Sequence, residues 1–260
     1  GIITEITLKL IPKPKVIHEA LCGFGDPLAA AKALIEVRQS GVQPSTAEFM
    51  LDVCVDASLD YLQVDAQFDK SSAYIIWQVD GFSDNDALAQ MAEIRNISKK
   101  HGSVSWLDMA DQALSDHVWD VRRNVSLGLK KIAGEKCSED VVVPPASVPE
   151  FLIELSNIKH GTGIQVLGYG HLGDGNIHVN ILKMAASDDD WNRYKQDVVS
   201  LVMEKAVAYG GTISGEHGIG LTKKAYQRLV FSENDLTFMK SIKKAIDPHL
   251  ILNPGKLFNL

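Results

Sequence analysis

Cysteine is scarce in this chain: Cys22, Cys54 and Cys137 are the only three among 260 residues, and none is spaced as C-x-x-C. An odd, scattered set excludes a disulfide framework and a zinc ribbon, so all three read as reduced and structural. Long apolar runs are missing as well. Nothing approaches the ~20 consecutive apolar residues that span a bilayer, and no charged-then-apolar leader opens the sequence. The expectation is a soluble protein of the cytoplasm, free or peripheral to the inner face of the membrane. Base is in deficit, with 26 Lys and Arg against 33 Asp and Glu and a net charge of -7, which argues against a nucleic-acid partner. Repeats of solenoid period and low-complexity tracts are absent too. With 45% hydrophobic residues the chain can fill one substantial core or two modest ones.

What the sequence does have is glycine beside histidine. VLGYGHLGDGNIHVNIL, from Val166 to Leu182, and SGEHGIG, from Ser214 to Gly220, hold three of the eight histidines. Ile164 to Gly170 reads as a buried strand. Asn176 to Leu182 alternates Ile177, Val179 and Ile181 with His178 and Asn180, a period-2 strand pattern. The Gly-Asp-Gly between them predicts a hairpin, because glycine supplies the positive φ of a tight turn. Alternation then sends His178 and Asn180 to one face, and His171 can turn toward them. Two imidazoles lack a carboxylate to complete a divalent-metal site, zinc, iron or manganese, and Glu216 is the best candidate. Histidine pairs are often only surface or satisfied core. The second cluster tips the balance, since a loop that gives up the entropy of three glycines normally brings backbone close to something. Asp174 is either a further ligand or a turn residue accepting backbone hydrogen bonds.

Two competing motifs fail on context. Gly168, Gly170 and Gly173 spell GxGxxG, but a dinucleotide site needs a helix to open at the last glycine, and here a strand follows. Gly211 to Gly215 places its serine one position too late for a hydrolase elbow.

In chain order, Thr4 to Ile11 alternates as a strand and stops at Pro12-Lys13-Pro14, a natural domain boundary. A strand from Val16 to Phe24 follows, then a helix capped by Asp26-Pro27 that runs to about Arg38 and ends before Gly41. Strands are expected at Glu48 to Val55, Ala73 to Phe82 and Ser103 to Leu107, with a helix between Ser83 and about His101. This β-α-β-β-α-β order predicts an α+β fold: a ferredoxin-like antiparallel sheet flanked by helices, packed on one face. A long helix, Met109 to Ile132, comes next. Pro144, Pro145 and Pro149 mark a rigid link, and Val148 to His160 is a helix leading into the hairpin. Trp191 to Tyr209 is an amphipathic helix, and helices from about Lys223 and Asp235 make the C-terminal part mostly helical.

HLGDGNIHVN, then SGEHGIG, then DPHLILNPGKLF resembles the C-terminal domain of FAD-linked oxidases of the vanillyl-alcohol-oxidase type, the group of D-lactate dehydrogenases, glycolate oxidase catalytic subunits and D-2-hydroxyglutarate dehydrogenases. The likeness spans nearly the whole chain. It implies that residues 1–14 are the end of a preceding FAD-binding domain and 15–260 the substrate and cap domain, a piece of a longer flavoprotein. It also implies oxidation of a small D-2-hydroxy acid by FAD, with an electron acceptor as a further partner. In the family a Trp-x-x-Arg element supplies an arginine for the substrate carboxylate, and Trp119 to Arg122 matches it. Asn180 would hydrogen-bond substrate oxygen, His217 would take the hydroxyl proton, and Asn253 would lie near the flavin. A rival assignment makes His217 the third ligand and Glu216 the base. Hydroxyglutarate enzymes carry a lysine just before an Asp-x-x-x-Pro stretch, whereas Ser138 precedes Asp140 to Pro144 here. That departure favours lactate or glycolate, unless Lys130, Lys131 or Lys136 substitutes. A metal-dependent hydrolase or lyase, and a non-catalytic cap docking on a flavoprotein subunit, are the alternative readings.

Overall fold

Both faces of the central strands are apolar, and that fact shapes the architecture. The computed structural model describes residues 3–158 and 163–259. Strand β1 (Val16–Phe24) is followed by helix α1 (Pro27–Gln39), β2 (Thr46–Leu51), α2 (Asp52–Leu62), β3 (Ala73–Gly81), α3 (Asp84–Lys100) and β4 (Ser103–Asp108). Then come α4 (Gln112–Ala133), β5 (Lys136–Val142), α5 (Val148–Asn157), β6 (Gln165–His171), β7 (Asn176–Leu182), α6 (Asp188–Ala208) and α7 (Glu233–Ile246). The strands form one antiparallel sheet in the order β4-β1-β3-β2-β6-β7-β5. Its first four strands have the ferredoxin-like arrangement that the order of elements predicted.

Helices cover both faces rather than the single face expected. Alternate residues of β3, Ala73, Ile75, Trp77 and Val79, join a core with α1, α3, α5 and α6. The interleaved Tyr74 and Ile76 join Leu21, Met50 and Tyr169 beneath α2 and α4. A strand buried on both sides needs a layer on each. Helix α2 was the element that sequence reading missed. Val53, Cys54 and Val55 extend the apparent strand, yet the chain turns at Leu51 and the Asp52 carboxylate accepts the Val53 N–H. Helix α4 drives that choice by packing along α2, with the Ser58 hydroxyl donating to the Val121 carbonyl at 2.6 Å. Strand β5, on the edge, was likewise unanticipated.

Other expectations need correction in detail. Residues 3–14 form no strand, because the segment pairs with no edge of this sheet, and Ile3, Ile6, Leu8, Leu10 and Ile11 are 67–85% exposed. The helix from Lys223 is a single 3-10 stretch, Lys224–Leu229. Helix α5 ends at Asn157, and the predicted continuation to His160 reaches outside the described residues. The three cysteines are free thiols, and burial pushes Cys22 up to about 11 and Cys54 up to about 12.

The α2–α4 contact admits no side chain at Gly128, where an added Cβ would stand 2.4 Å from the Ala57 carbonyl oxygen. On an isolated helix Gly→Ala gains about 1 kcal/mol. Here Gly128→Ala forces the helices apart, and we expect a loss of about 1–3 kcal/mol. A lower urea midpoint at unchanged slope is the readout; equal or greater stability would refute the close packing.

Candidate metal and substrate site

A polar strip crosses the otherwise apolar face under α2 and α4. Glu19 on β1 accepts from Gln78 on β3 at 2.7 Å, and Gln78 accepts from Thr46 on β2 at 3.2 Å. Two residues on, Glu48 stands opposite His171 of β6. The strip continues through His178 of β7 to its cross-strand partner Asp140 of β5.

Among the described residues, one group of side chains converges in a way that could hold a metal ion: a ligand atom each from His171, His178 and Glu216, all within 4.8 Å of one another. The two Nε2 atoms are 3.3 Å apart, and the Glu216 carboxylate lies 3.6 Å from His178 Nε2 and 4.0 Å from His171 Nε2. The hairpin supplies this geometry as its sequence predicted. Period-2 alternation puts His178 on the polar strip, and the turn is a 3-10 segment closed by Gly175 at φ 73°. The Arg38 guanidinium holds the Gly173 carbonyl in that turn. Burial, helped by the neighbouring His171 and Arg122 charges, pushes the His178 imidazole down to about 4. It is therefore neutral at physiological pH, with a lone pair to give.

Sequence reasoning missed Glu48, which ties the site together. Its Oε1 lies 2.5 Å from His171 Nδ1, while Oε2 accepts from Arg122 Nε at 3.0 Å and Nη2 at 2.7 Å. Assigning the Nδ1 proton to that bond leaves His171 Nε2 facing the cluster, the carboxylate–histidine arrangement that orients metal ligands. The hydrogen bond to Glu48 raises the His171 pKa. Burial alone would raise the Glu48 carboxyl, but His171 and Arg122 outweigh it and hold it below the ordinary range. Arg122 lies with its guanidinium carbon 5.1 Å from the Tyr169 ring centre, and Tyr169 in turn packs on His178 at 5.5 Å. Trp119, one turn back on α4, donates to Glu19 at 2.9 Å and so fixes the helix that carries Arg122. A lone carboxylate inside the apolar run TAEFML was the available signal, since a buried charge demands partners.

The Glu216–His217 loop is held by a second missed carboxylate. Asp140, fully buried, accepts from the backbone N–H groups of Gly215, Glu216 and His217 at 2.8, 2.7 and 2.9 Å on a single oxygen. Burial pushes the Asp140 carboxyl up, but the His217 N–H, the Lys223 ammonium and the Glu216 N–H outweigh it and bring it to about 2. Gly215 lets the loop approach closely, because a Cβ there would lie 2.5 Å from Asn176 Oδ1 and 2.9 Å from a Val142 methyl, so those side chains would have to shift. His217 Nδ1 faces Asp140 at 3.2 Å and its Nε2 faces Glu216 at 3.7 Å, with its ring stacked 5.8 Å from His178. His217 is thus beside the cluster rather than one of its three converging donors.

Two predicted site residues stand differently. Asn180 shares the His178 face but is fully buried and engaged at both ends: Oδ1 accepts from Lys136 at 2.7 Å and Ser138 at 2.9 Å, and Nδ2 donates to the His178 carbonyl at 3.1 Å. Asn253 lies exposed in a left-handed turn of the C-terminal tail, at φ 48°.

The chain is 29% identical over 258 residues to the glycolate oxidase subunit GlcD of Bacillus subtilis, covering 99% of this chain and 54% of that protein. It is 28% identical to D-lactate dehydrogenase of Anaerostipes hadrus and 30% identical to D-2-hydroxyglutarate dehydrogenase of Xanthomonas citri, in each case over 99% of this chain and 55% of the relative. The chain therefore spans about half the length of these relatives. Its fold is that of p-cresol methylhydroxylase with substrate bound, at a TM-score of 0.68 and 14% identity over 95% of this chain and 54% of that one. Residues 13–257 match the family described as FAD linked oxidases, C-terminal domain, and the chain belongs to that family.

Proposed function

We propose that this chain is the substrate- and metal-binding part of a flavin-dependent dehydrogenase that oxidises a short D-2-hydroxy acid, of the lactate or glycolate type, to the 2-oxo acid. One observation carries the reading: Glu48 joins Arg122 to His171, so a carboxylate anchor and a three-donor metal cluster share a single buried residue. The donors suit a divalent ion, with nitrogen from His178 and His171 and oxygen from Glu216. Held by these residues, such an ion would supply Lewis acidity toward a hydroxyl oxygen, and a flavin bound by the longer protein would supply the two-electron acceptor.

The remaining work falls to side chains of this domain. Glu48 occupies the Nε and Nη2 edge of Arg122, leaving Nη1 to meet the substrate carboxylate and set which carbon face is presented. His217, half exposed and steadied at Nδ1 by Asp140, directs Nε2 to the cluster and accepts the hydroxyl proton. Asn180 serves by holding Lys136. All three ammonium hydrogens of Lys136 have partners, Ser126 at 2.9 Å, Ser138 at 2.8 Å and Asn180 at 2.7 Å. A distal carboxylate would have to displace one of them, which favours a short monocarboxylate over a diacid. The exposed Ile3, Ile6, Leu8 and Leu10 at one end of the chain, and Phe238, Ile242 and Ile246 on one side of α7, offer apolar surface for the flavin-binding part. No helix among the described residues is long and apolar enough to cross a membrane.

Metal content of the purified protein tests the cluster: about one equivalent of zinc, iron or manganese is expected, lost in His178→Ala. Equal content in both forms would remove the site. Because binding must displace the His171 proton, whose pKa Glu48 raises, loading should be complete near pH 8 and weaken as pH falls toward 6. For the longer flavoprotein, D-lactate or glycolate should turn over with higher kcat/KM than D-2-hydroxyglutarate, and Arg122→Lys should lower kcat/KM by about 100-fold or more. Preference for the diacid would overturn the substrate assignment.

A further inference from the structure

Lys223 is the least expected charge in the molecule. It is 3% exposed, and it meets two adjacent carboxylates of the edge strand β5. Its ammonium donates to Asp140 Oδ1 and, at 2.7 Å, to the Asp140 backbone carbonyl, and lies 3.7 Å from Glu139 Oε2. Asp140 and Glu139 point to opposite faces of β5, so one cation at the open edge reaches both. Asp140 uses its other oxygen, Oδ2, for the N–H groups of Gly215, Glu216 and His217 and for the Ser214 hydroxyl at 3.3 Å. Oδ2 takes the loop's main-chain donors, while Oδ1 faces Lys223 and also the His217 ring, whose Nδ1 is 3.2 Å away.

Three consecutive N–H groups directed at one oxygen form an anion-binding concavity, which keeps its shape only while the anion stays in place. Lys223 supplies what fixes that anion, a full counter-charge plus a hydrogen bond to the main chain of the same residue. The lysine sits three residues beyond Gly220, so the segment that carries Glu216 and His217 also carries the group that pins it to β5.

Resting on the metal-site reading above, we propose that Lys223 is a positioning residue: clamping Asp140, it sets where Glu216 and His217 stand relative to His171 and His178. Its ammonium bonds to Asp140 and lies beside Glu139 rather than against His171, His178 or Glu216. Its influence on the loop runs through the Asp140 carboxylate, which meets the three N–H groups and lies 3.2 Å from His217 Nδ1. Lys223→Met therefore leaves every ligand present yet lets the loop drift, and the ion loses its carboxylate oxygen first.

The test uses the protein with Lys223→Met and, as an isosteric second variant in case the first does not fold, Asp140→Asn. Zn2+ affinity is measured by competition with a chromophoric chelator, and amide hydrogen exchange is followed at Gly215, Glu216 and His217 in the metal-free protein. We expect Zn2+ affinity to fall about 10–100-fold, exchange at the three amides to rise about tenfold while β7 amides hold steady, and the absorption bands of the Co2+-loaded form to shift. A lysine with a merely structural role would lower global stability without moving the Co2+ bands. If the folded variants bind Zn2+ within twofold of the unaltered protein and the three amides exchange unchanged, the clamp is wrong. If the unaltered protein binds no Zn2+ but the variants release the three amides, the metal-site reading fails and the clamp stands.

Discussion

One buried carboxylate, Glu48, sits where the two halves of the sheet pair. In the sheet, β2 of the ferredoxin-like strands pairs with β6 of the C-terminal three-strand unit at two positions, Glu48 with His171 and Phe49 with Gly170. Beyond them β2 and β6 part, and Leu152, Leu155 and Val166 line the apolar cleft between. At the seam Glu48 accepts hydrogen bonds from His171 of one half and from Arg122 of α4. Removing one partner from so buried a pair costs about 3–5 kcal/mol, because it strands the other charge. The seam and the site therefore stand or fall together. Glu48, hydrogen-bonded to both His171 and Arg122, also sits where the two halves of the sheet pair.

Glycine and charge are spent in the same few places. Gly170 has φ 138°, beyond the reach of most side chains, one residue before His171, where β6 pairs with both β2 and β7. Gly215 lies close against Asn176, which lets the Glu216 loop sit down on β5. Two buried acids, Glu48 and Asp140, are each fully compensated, one by an arginine and a histidine, the other by main-chain donors and a lysine. Charges of this kind are costly to bury and are retained where geometry matters more than stability.

Much of this could be read from the chain before any coordinates. The period-2 alternation of Ile177, Val179 and Ile181 against His178 and Asn180 fixed the polar face of β7, and the Gly-Asp-Gly placed His171 within reach of it. Convergence of Glu216, some 40 residues later in the chain, was read from loop composition and from a resemblance, and no local rule required it. What stayed hidden was long-range. The lone carboxylate in TAEFML signals a need for partners without naming them, Asp140 gives no such signal in EDVVVP, and the partners of both lie far away in sequence, on α4, β6 and the Glu216 loop. Helix α2 was obscured because Val53 and Val55 favour strand locally while contact with Gly128 favours helix. Asn180 was placed on the correct face, but its engagement by Lys136 and Ser138 depended on β5, a strand whose existence was not foreseen.

The edge of β5 carries a consequence of its own. An outermost strand with free main-chain groups is a template onto which a strand from another molecule can zip, the usual route to aggregation. Here Thr212 exchanges hydrogen bonds with Val142, at 2.8 and 3.2 Å, and the Asp140 carbonyl is taken by the Lys223 ammonium. The contacts that hold the Glu216 loop thus also cover main-chain groups of this edge that another strand would need.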